Sequence, residues 1–372
     1  MADRRLTRLL EALGADGLIS ADPGHIRMLT GHVADIETGP NVFGLPPIVV
    51  ASGDGTAVLV CAADQAPADG SAETYAGFTI GPLDFSQSAV SALTRALERS
   101  HLHHGRVIVH TESLPMIFAP ALPVGWNAAD GRLAQLGAIK TETEIAAISR
   151  SLAICSAGQS AARSAATPGI TELDVWEATR AAMEHAAAGR CPVLADLVAG
   201  ARTGAAGGAP SNRIIVDGDL VLCDLVPRVD GIWGDSCATW SVGDPTAANV
   251  AMHATAQEAL WAAIDALKPG AIPDDIDCLA RTILSDAGFE YPHHTGHGLG
   301  FRWHEEPRIV PGALTPLEAG MVVALEPGAY RDGAGVRVEV VAEIVQDGCR
   351  VLSTHALDLY RDAVQPTGGS NG

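Results

Sequence analysis

At 372 residues the chain is long enough for two or three domains, and its 47% apolar and 18% charged content is that of an ordered globular protein. Twenty-four basic against 44 acidic side chains leave a formal charge of −20, which argues against nucleic acid as partner because phosphate binding needs a basic footprint. No apolar run approaches the roughly 18 residues that span a bilayer, and seven cysteines with no CxxC fit reduced thiols better than a disulfide framework. The start, MADRRLTRLLEALGADGLI, carries Asp3 and Glu11 and no signal-peptide apolar block. A cytoplasmic, membrane-free protein is expected.

The first unit reads as α/β. Amphipathic Leu6–Leu13 leads into the apolar run Gly17–Ser20, and IVVASGDGTAVLVCA reads as two strands joined by a glycine-containing hairpin turn at Ser52–Gly55. DFSQSAVSALTRALERS has helical period, and RVIVHTE reads as a strand after it. Such mixed spacing predicts a sheet covered by helices.

A second unit opens near Thr141, where Thr141 and Glu144 form a capping box ahead of a long alanine-rich helix. It then repeats itself. Pro168-Gly169, Asp174 and Arg180 are matched at identical spacing by Pro269-Gly270, Asp275 and Arg281, and Gly189 and Gly288 are placed to cap the helices that follow. The run from Gly218 to Asp224, GDLVLCD, is matched by GMVVALE from Gly320 to Glu326. The unit is therefore read as a duplicated helix–helix–hairpin.

The chemistry lies in the two hairpins. Asp suits a strand interior poorly, yet Asp224 and Asp235 are predicted within strands flanking a turn at Pro227–Gly231. Glu326 ends an apolar strand, and strict alternation in GVRVEVVAEIV puts Arg337, Glu339 and Val341 on one face. Carboxylates meeting inside a protein must be paired, protonated or bound to a cation. Four at one point need more than one divalent ion. YPHHTGHGLGFRWHEEP adds His293, His294, His297 and His304 among glycines, and imidazole in an oxygen-rich site suits Mn, Fe, Co or Zn better than Ca or Mg. Cys223 and Cys237 flank the acids but are read as small core residues pointing away from them. No GxGxxG, Walker loop or GxSxG is present, against dinucleotide, ATP or serine-hydrolase chemistry.

Taken in order, Asp224 in LCDL, Asp235 in GDSCAT, His297 in TGHGLG, Glu326 in LEPG and Glu339 in VRVE resemble the ligand motifs of the pita-bread metallopeptidases, family M24. This family includes methionine aminopeptidase, aminopeptidase P, prolidase and the creatinase-like hydrolases. The resemblance implies an α/β (α+β) chain in three parts: a smaller creatinase-like α/β domain at residues 1–137, a catalytic pita-bread domain with an internal pseudo-two-fold repeat at 138–362, and a flexible tail at 363–372. SADPGHIRMLTG in the first unit points to the prolidase, aminopeptidase P and creatinase branch, from which a homodimer is expected.

By position, Asp224 would hold one metal, His297 and Glu326 the other, and Asp235 and Glu339 would bridge them, with manganese favoured over cobalt, iron or zinc. A hydroxide between cations roughly 3.5–4 Å apart would attack the substrate's amide carbonyl. Glu326 would also serve as general base, His293 and His304 would face the substrate, and Arg337 would hold Glu339. The implied substrate is a small peptide, cleaved as by an Xaa-Pro dipeptidase. Two alternatives are a metal-dependent hydrolase of a small non-peptide amide and a non-catalytic binding protein of the same fold. One departure separates them. Proline-specific relatives carry a histidine about seventeen residues before the first metal Asp, and here that position is Gly207, in ARTGAAGGAPSNR. Weak Xaa-Pro hydrolysis is therefore expected, with Arg202 as a possible substitute contact and a surface position as its simpler reading.

Overall fold

The structure, a computed structural model, describes residues 3–34, 45–77 and 86–360; the tail expected at 363–372 lies outside them. Two compact units emerge, Met1–Ala138 and Ile139–Gly372.

The first unit runs α1 (Arg4–Leu13), β1 (Gly17–Ser20), α2 (Pro23–Thr30), β2 (Ile48–Ser52), β3 (Ala57–Ala62), β4 (Glu73–Tyr75), α3 (Ser86–Arg99), β5 (Val107–Val109), β6 (Asn127–Ala128) and α4 (Asp130–Leu133). Its strands form one mixed sheet in the order β4-β3-β2-β1-β5-β6. Alternation sorts the strands' side chains onto two buried faces. Ile19, Ile48, Val50 and Val60 pack with α3 residues such as Leu93 and Leu97, while Leu18, Val49, Leu59 and Ile108 pack with Leu6, Leu10, Ile26 and Leu133. The hairpin turn forms where expected, with Gly55 N donating to Ser52 O at 3.1 Å.

The second unit begins with α5 (Glu142–Ala165), capped by Thr141 and Glu144, and α6 (Glu172–Ala186), capped in the same way by Thr171 and Asp174. Then follow β7 (Val193–Ala199), β8 (Leu220–Val229), β9 (Ile232–Trp233) and β10 (Ser236–Ser241). The second copy supplies α7 (Ala247–Ala266), α8 (Pro273–Asp286), β11 (Gly296–Gly298), β12 (Glu305–Ile309), β13 (Val322–Leu325), β14 (Gly328–Arg331), β15 (Ala334–Arg337), β16 (Val340–Val345) and β17 (Gly348–Val351). One sheet has the order β10-β8-β7 and another β12-β11-β13-β16-β17. β14 and β15 form a separate two-stranded sheet. β10 meets β15 and the link to β16 where Thr239 Oγ1 donates to Arg337 O and accepts from Arg337 N, both at 3.0 Å, and Glu339 N donates to Cys237 O at 2.9 Å.

The repeat shows in the backbone: Gly169 and Gly270 both adopt left-handed conformations, φ 96° and 84°. The caps are less symmetric than expected. Gly288 is left-handed beyond α8, but beyond α6 that role falls to Ala188 (φ 55°), not Gly189.

Candidate metal centre and substrate cavity

Strand β8 is buried along almost its whole length because it is central in its sheet, and Asp224 interrupts its apolar run. The strand continues through Pro227, so the turn is confined to Asp230-Gly231. Asp235 stands just before β10, not within a strand as expected. Glu339 likewise falls in the break between β15 and β16, where the chain leaves its pairing with β14 and takes up pairing with β13. The shared face expected for residues 337, 339 and 341 is nevertheless kept: Arg337 and Glu339 both reach the site, and Val341 lies opposite Ala324, as His297 does. Glu326 follows β13 directly, its N–H donating to Thr295 O at 2.9 Å, and His297 is the middle residue of β11.

These positions converge. His297 Nε2 lies 3.2 Å from Glu326 Oε1 and 3.6 Å from Asp235 Oδ2, and possible ligand atoms of Asp235, His297 and Glu339 lie within 4.8 Å of one another. His297 Nδ1 donates to Gly298 O at 2.9 Å, which leaves the Nε2 lone pair facing the acids. Both carboxylate oxygens of buried Glu339, and Oδ1 of Asp224, find no hydrogen-bond partner. Burial pushes Asp224 up to about 6 and lifts Asp235 and Glu339 well above the usual carboxylate range. Burial raises Glu326 too, but the hydrogen bond from His294 and the charge of Arg337 act against it, and its carboxyl lies well below that range. Buried donor atoms without partners, grouped about one point, fit divalent cations.

Arg337 departs from expectation. Its guanidinium lies on Asp224 (Nη2 to Oδ2, 2.5 Å), with Asp196 at 3.4 Å and Glu326 at 3.8 Å, rather than holding Glu339. Cys237 also differs. It pairs with Asp224 across β8 and β10 and so shares its face, and its Sγ accepts from Arg337 Nε at 3.3 Å. Neighbouring Cys223 faces the helix layer as expected, packed with Val221 and Leu225.

The histidines divide their work in an unexpected way. His293 is fixed by the protein itself: Nδ1 donates to His294 O at 3.0 Å, and Nε2 accepts from Tyr330 Oη at 2.9 Å. It does not line the cavity. His294, given no role from the sequence, does line it, and its Nε2 donates to Glu326 Oε1 at 2.7 Å. Arg281 holds this segment, donating to Tyr291 O and His293 O while paired with Asp277. His304 lines the cavity as expected and stacks 3.8 Å from the His297 ring. Its Nδ1 accepts from Arg308 Nη1 at 3.0 Å, so in the neutral ring Nε2 carries the proton. Burial, aided by the neighbouring imidazoles, lowers it to about 3. The buried pair of Lys140 and Glu305 anchors the turn that presents it.

The cavity has a volume of about 410 Å³. Asp224, Asp235, Glu326 and Arg337 line one part of it, and Leu194, Val226 and Trp303 are apolar lining. Asp196, which sequence reasoning missed, lines it as well. Arg202 lies elsewhere: it pairs with buried Glu172 and donates to Ala209 O at 2.8 Å, anchoring its own loop.

A family model, Metallopeptidase family M24, matches residues 146–345. The chain belongs to that family. Among its M24 relatives, the probable dipeptidase PepE of Mycobacterium tuberculosis is 34% identical over 250 residues, 64% of this chain. The match spans 65% of the length of that relative. The putative dipeptidase YkvY of Bacillus subtilis is 28% identical over 72% of this chain and 76% of its own. The pita-bread fold is shared with the prolidase from Pyrococcus furiosus (TM-score 0.78, 23% identity, 94% of this chain and 100% of that one). The dipeptidase PepE from Mycobacterium ulcerans aligns with TM-score 0.76 and 26% identity over 96% of both chains. Among the described residues of this M24 chain, no helix is long and apolar enough to cross a membrane.

Proposed function

We propose that the cavity is the active site of a metal-dependent hydrolase that cleaves short peptides at the amide bond before a proline-like residue. The observation that carries this is the set of unpartnered buried donors, Glu339 Oε1 and Oε2, Asp224 Oδ1 and His297 Nε2, beside a 410 Å³ cavity. Asp224, Asp235, His297, Glu326 and Glu339 would hold two divalent cations. When bound, the cations supply Lewis acidity and lower the pKa of water. Glu326, oriented by the His294 N–H, takes a proton from the attacking water. His304 offers its Nε2–H to the carbonyl oxygen as negative charge develops there. Arg337 keeps Asp224 ionised and in place. His293 steadies the wall through Tyr330. The names of the PepE and YkvY relatives and of the prolidase neighbours support a dipeptide as substrate.

Manganese as the metal, a homodimer and a cytoplasmic location complete the reading. The last is supported by seven cysteines that are all free. A second reading keeps the site but takes a small non-peptide amide, because Gly207 stands where proline-specific relatives carry histidine. Metal analysis of the purified protein, with a panel of Xaa-Pro dipeptides and small amides, tests both. A kcat/KM of roughly 10⁴–10⁸ M⁻¹s⁻¹ on a dipeptide establishes the first. A higher value on an amide with only weak dipeptide turnover establishes the second.

A further inference from the structure

We propose that Asp196 is the specificity residue that binds the free α-ammonium group of the substrate's N-terminal residue. The inference rests on the peptide-hydrolase reading above.

Asp196 lies on β7 directly across from Asp224 on β8, so both carboxylates project from the same face of the sheet. Like charges in that relation repel. Here Arg337 offsets the repulsion and leaves Asp196 the more open of the two, its side chain 37% exposed against 13% for Asp224. Asp196 is also held still: Oδ1 accepts from Gly208 N at 2.9 Å, and Oδ2 faces Arg337 Nη2 at 3.4 Å. A rigid, accessible carboxylate on a cavity wall is preorganised for a cation.

Asp196 belongs to neither group of clustered ligand atoms. Its cationic neighbour, Arg337, reaches it only at 3.4 Å and lies closer to Asp224, at 2.5 Å. The exposed part of the Asp196 carboxylate is therefore open to a second cation. At neutral pH a free peptide amino group, of pKa about 7.7–8.0, is largely protonated. It sits two bonds from the carbonyl carbon of its own residue, and Cα atoms directly opposite on antiparallel strands are only about 4.5–5.5 Å apart. Asp196 is thus one strand spacing from a metal-site carboxylate, which suits an α-ammonium better than the distant head of a lysine side chain. The exposed rings and methyls of Trp303 and Leu194 offer apolar contact to the side chain of the same residue.

The absent histidine fits this picture. A Cβ on Gly207 would lie 2.1 Å from Asp196 Oδ2, so Asp196 occupies the space that any side chain at 207 would need. One recognition group has taken the place of another.

The test compares metal-loaded wild type with Asp196→Asn and Asp196→Ala on Leu-Pro, Lys-Pro and 4-methylpentanoyl-proline, the analogue of Leu-Pro without its amino group. Metal content and thermal midpoint are read alongside kcat and KM, and inhibition by leucinamide is compared with that by 4-methylpentanamide. Wild type is expected to favour Leu-Pro over the deamino analogue by about 100-fold or more in kcat/KM. In both variants that preference should collapse to within about threefold, chiefly through a KM increase of about tenfold or more, and leucinamide should lose its advantage as inhibitor. Metal content should stay at the wild-type level. Wild type cleaving the deamino analogue as well as Leu-Pro, or Asp196→Asn losing metal, overturns the inference while the hydrolase reading stands. So does a preference for Lys-Pro over Leu-Pro that the variants erase. Wild type idle on every dipeptide overturns the hydrolase reading and the inference with it.

Discussion

Asp224 and Arg337 form the tightest charged contact on the cavity wall, Oδ2 to Nη2 at 2.5 Å, and the same guanidinium reaches Asp196 and Glu326. Removing it would leave three carboxylates facing one another in a largely buried space. Arg337→Met is expected to cost about 3–5 kcal/mol, the usual penalty for orphaning buried charge. Arg337→Lys, which keeps the charge but loses the planar fork, should fall between. Equilibrium urea unfolding of the metal-free proteins measures both. A Met variant within about 0.5 kcal/mol of wild type, as for a surface substitution, would show that the acids are stabilised by other means.

Glu339 gives a pH-dependent test. Burial raises its folded pKa well above the ordinary value. Its contribution to metal-free stability is therefore fully present below the unfolded pKa of about 4.3 and is lost as pH rises through the folded pKa. Glutamine does not titrate. Metal-free Glu339→Gln should gain on metal-free wild type as pH rises above about 4.3, by at most about 1.4 kcal/mol per pH unit. The same variant should bind less metal and lose hydrolysis. A fully metallated, active Glu339→Gln protein would sink the five-ligand assignment.

His304→Ala should keep metal near the wild-type level and lose about two orders of magnitude or more in kcat/KM, as for a lost transition-state hydrogen bond. Because His304 titrates near 3, the pH–rate profile should carry no limb from it between pH 5 and 8. Loss of metal along with His304 would instead make it a ligand, as its place among the clustered donors of His294, His297 and Glu326 allows.

His293 and His294 should separate cleanly. His294→Ala removes the donor to Glu326 Oε1 and is expected to lower kcat by about 10²-fold. His293→Ala strips Tyr330 Oη of its acceptor inside the wall, costing roughly 1–3 kcal/mol of stability with KM little changed. Kinetics and thermal unfolding on the two variants decide this. The reverse pattern would restore His293 to the substrate side.

Local pattern was enough to read much of this protein. The capping box at Thr141, the hairpin at Ser52–Gly55, the paired Pro-Gly turns and the apolar run ending in Asp224 are all short-range features, where spacing and side-chain chemistry act directly on the nearby backbone. Asp196 was legible by the same rule that singled out Asp224, an aspartate inside an otherwise apolar strand, VLADLVA, but nothing local says that the two strands pair. What only the tertiary structure decided depends on contacts between residues far apart in the chain. Arg337 turns to Asp224 and not to Glu339, because the fold lays β15 beside β8, more than a hundred residues earlier in the chain. Tyr330, 37 residues beyond His293, accounts for that ring and leaves the cavity to His294. Gly207 shows no side-chain requirement of its own in sequence, but in the fold the Asp196 carboxylate already fills the space beside it.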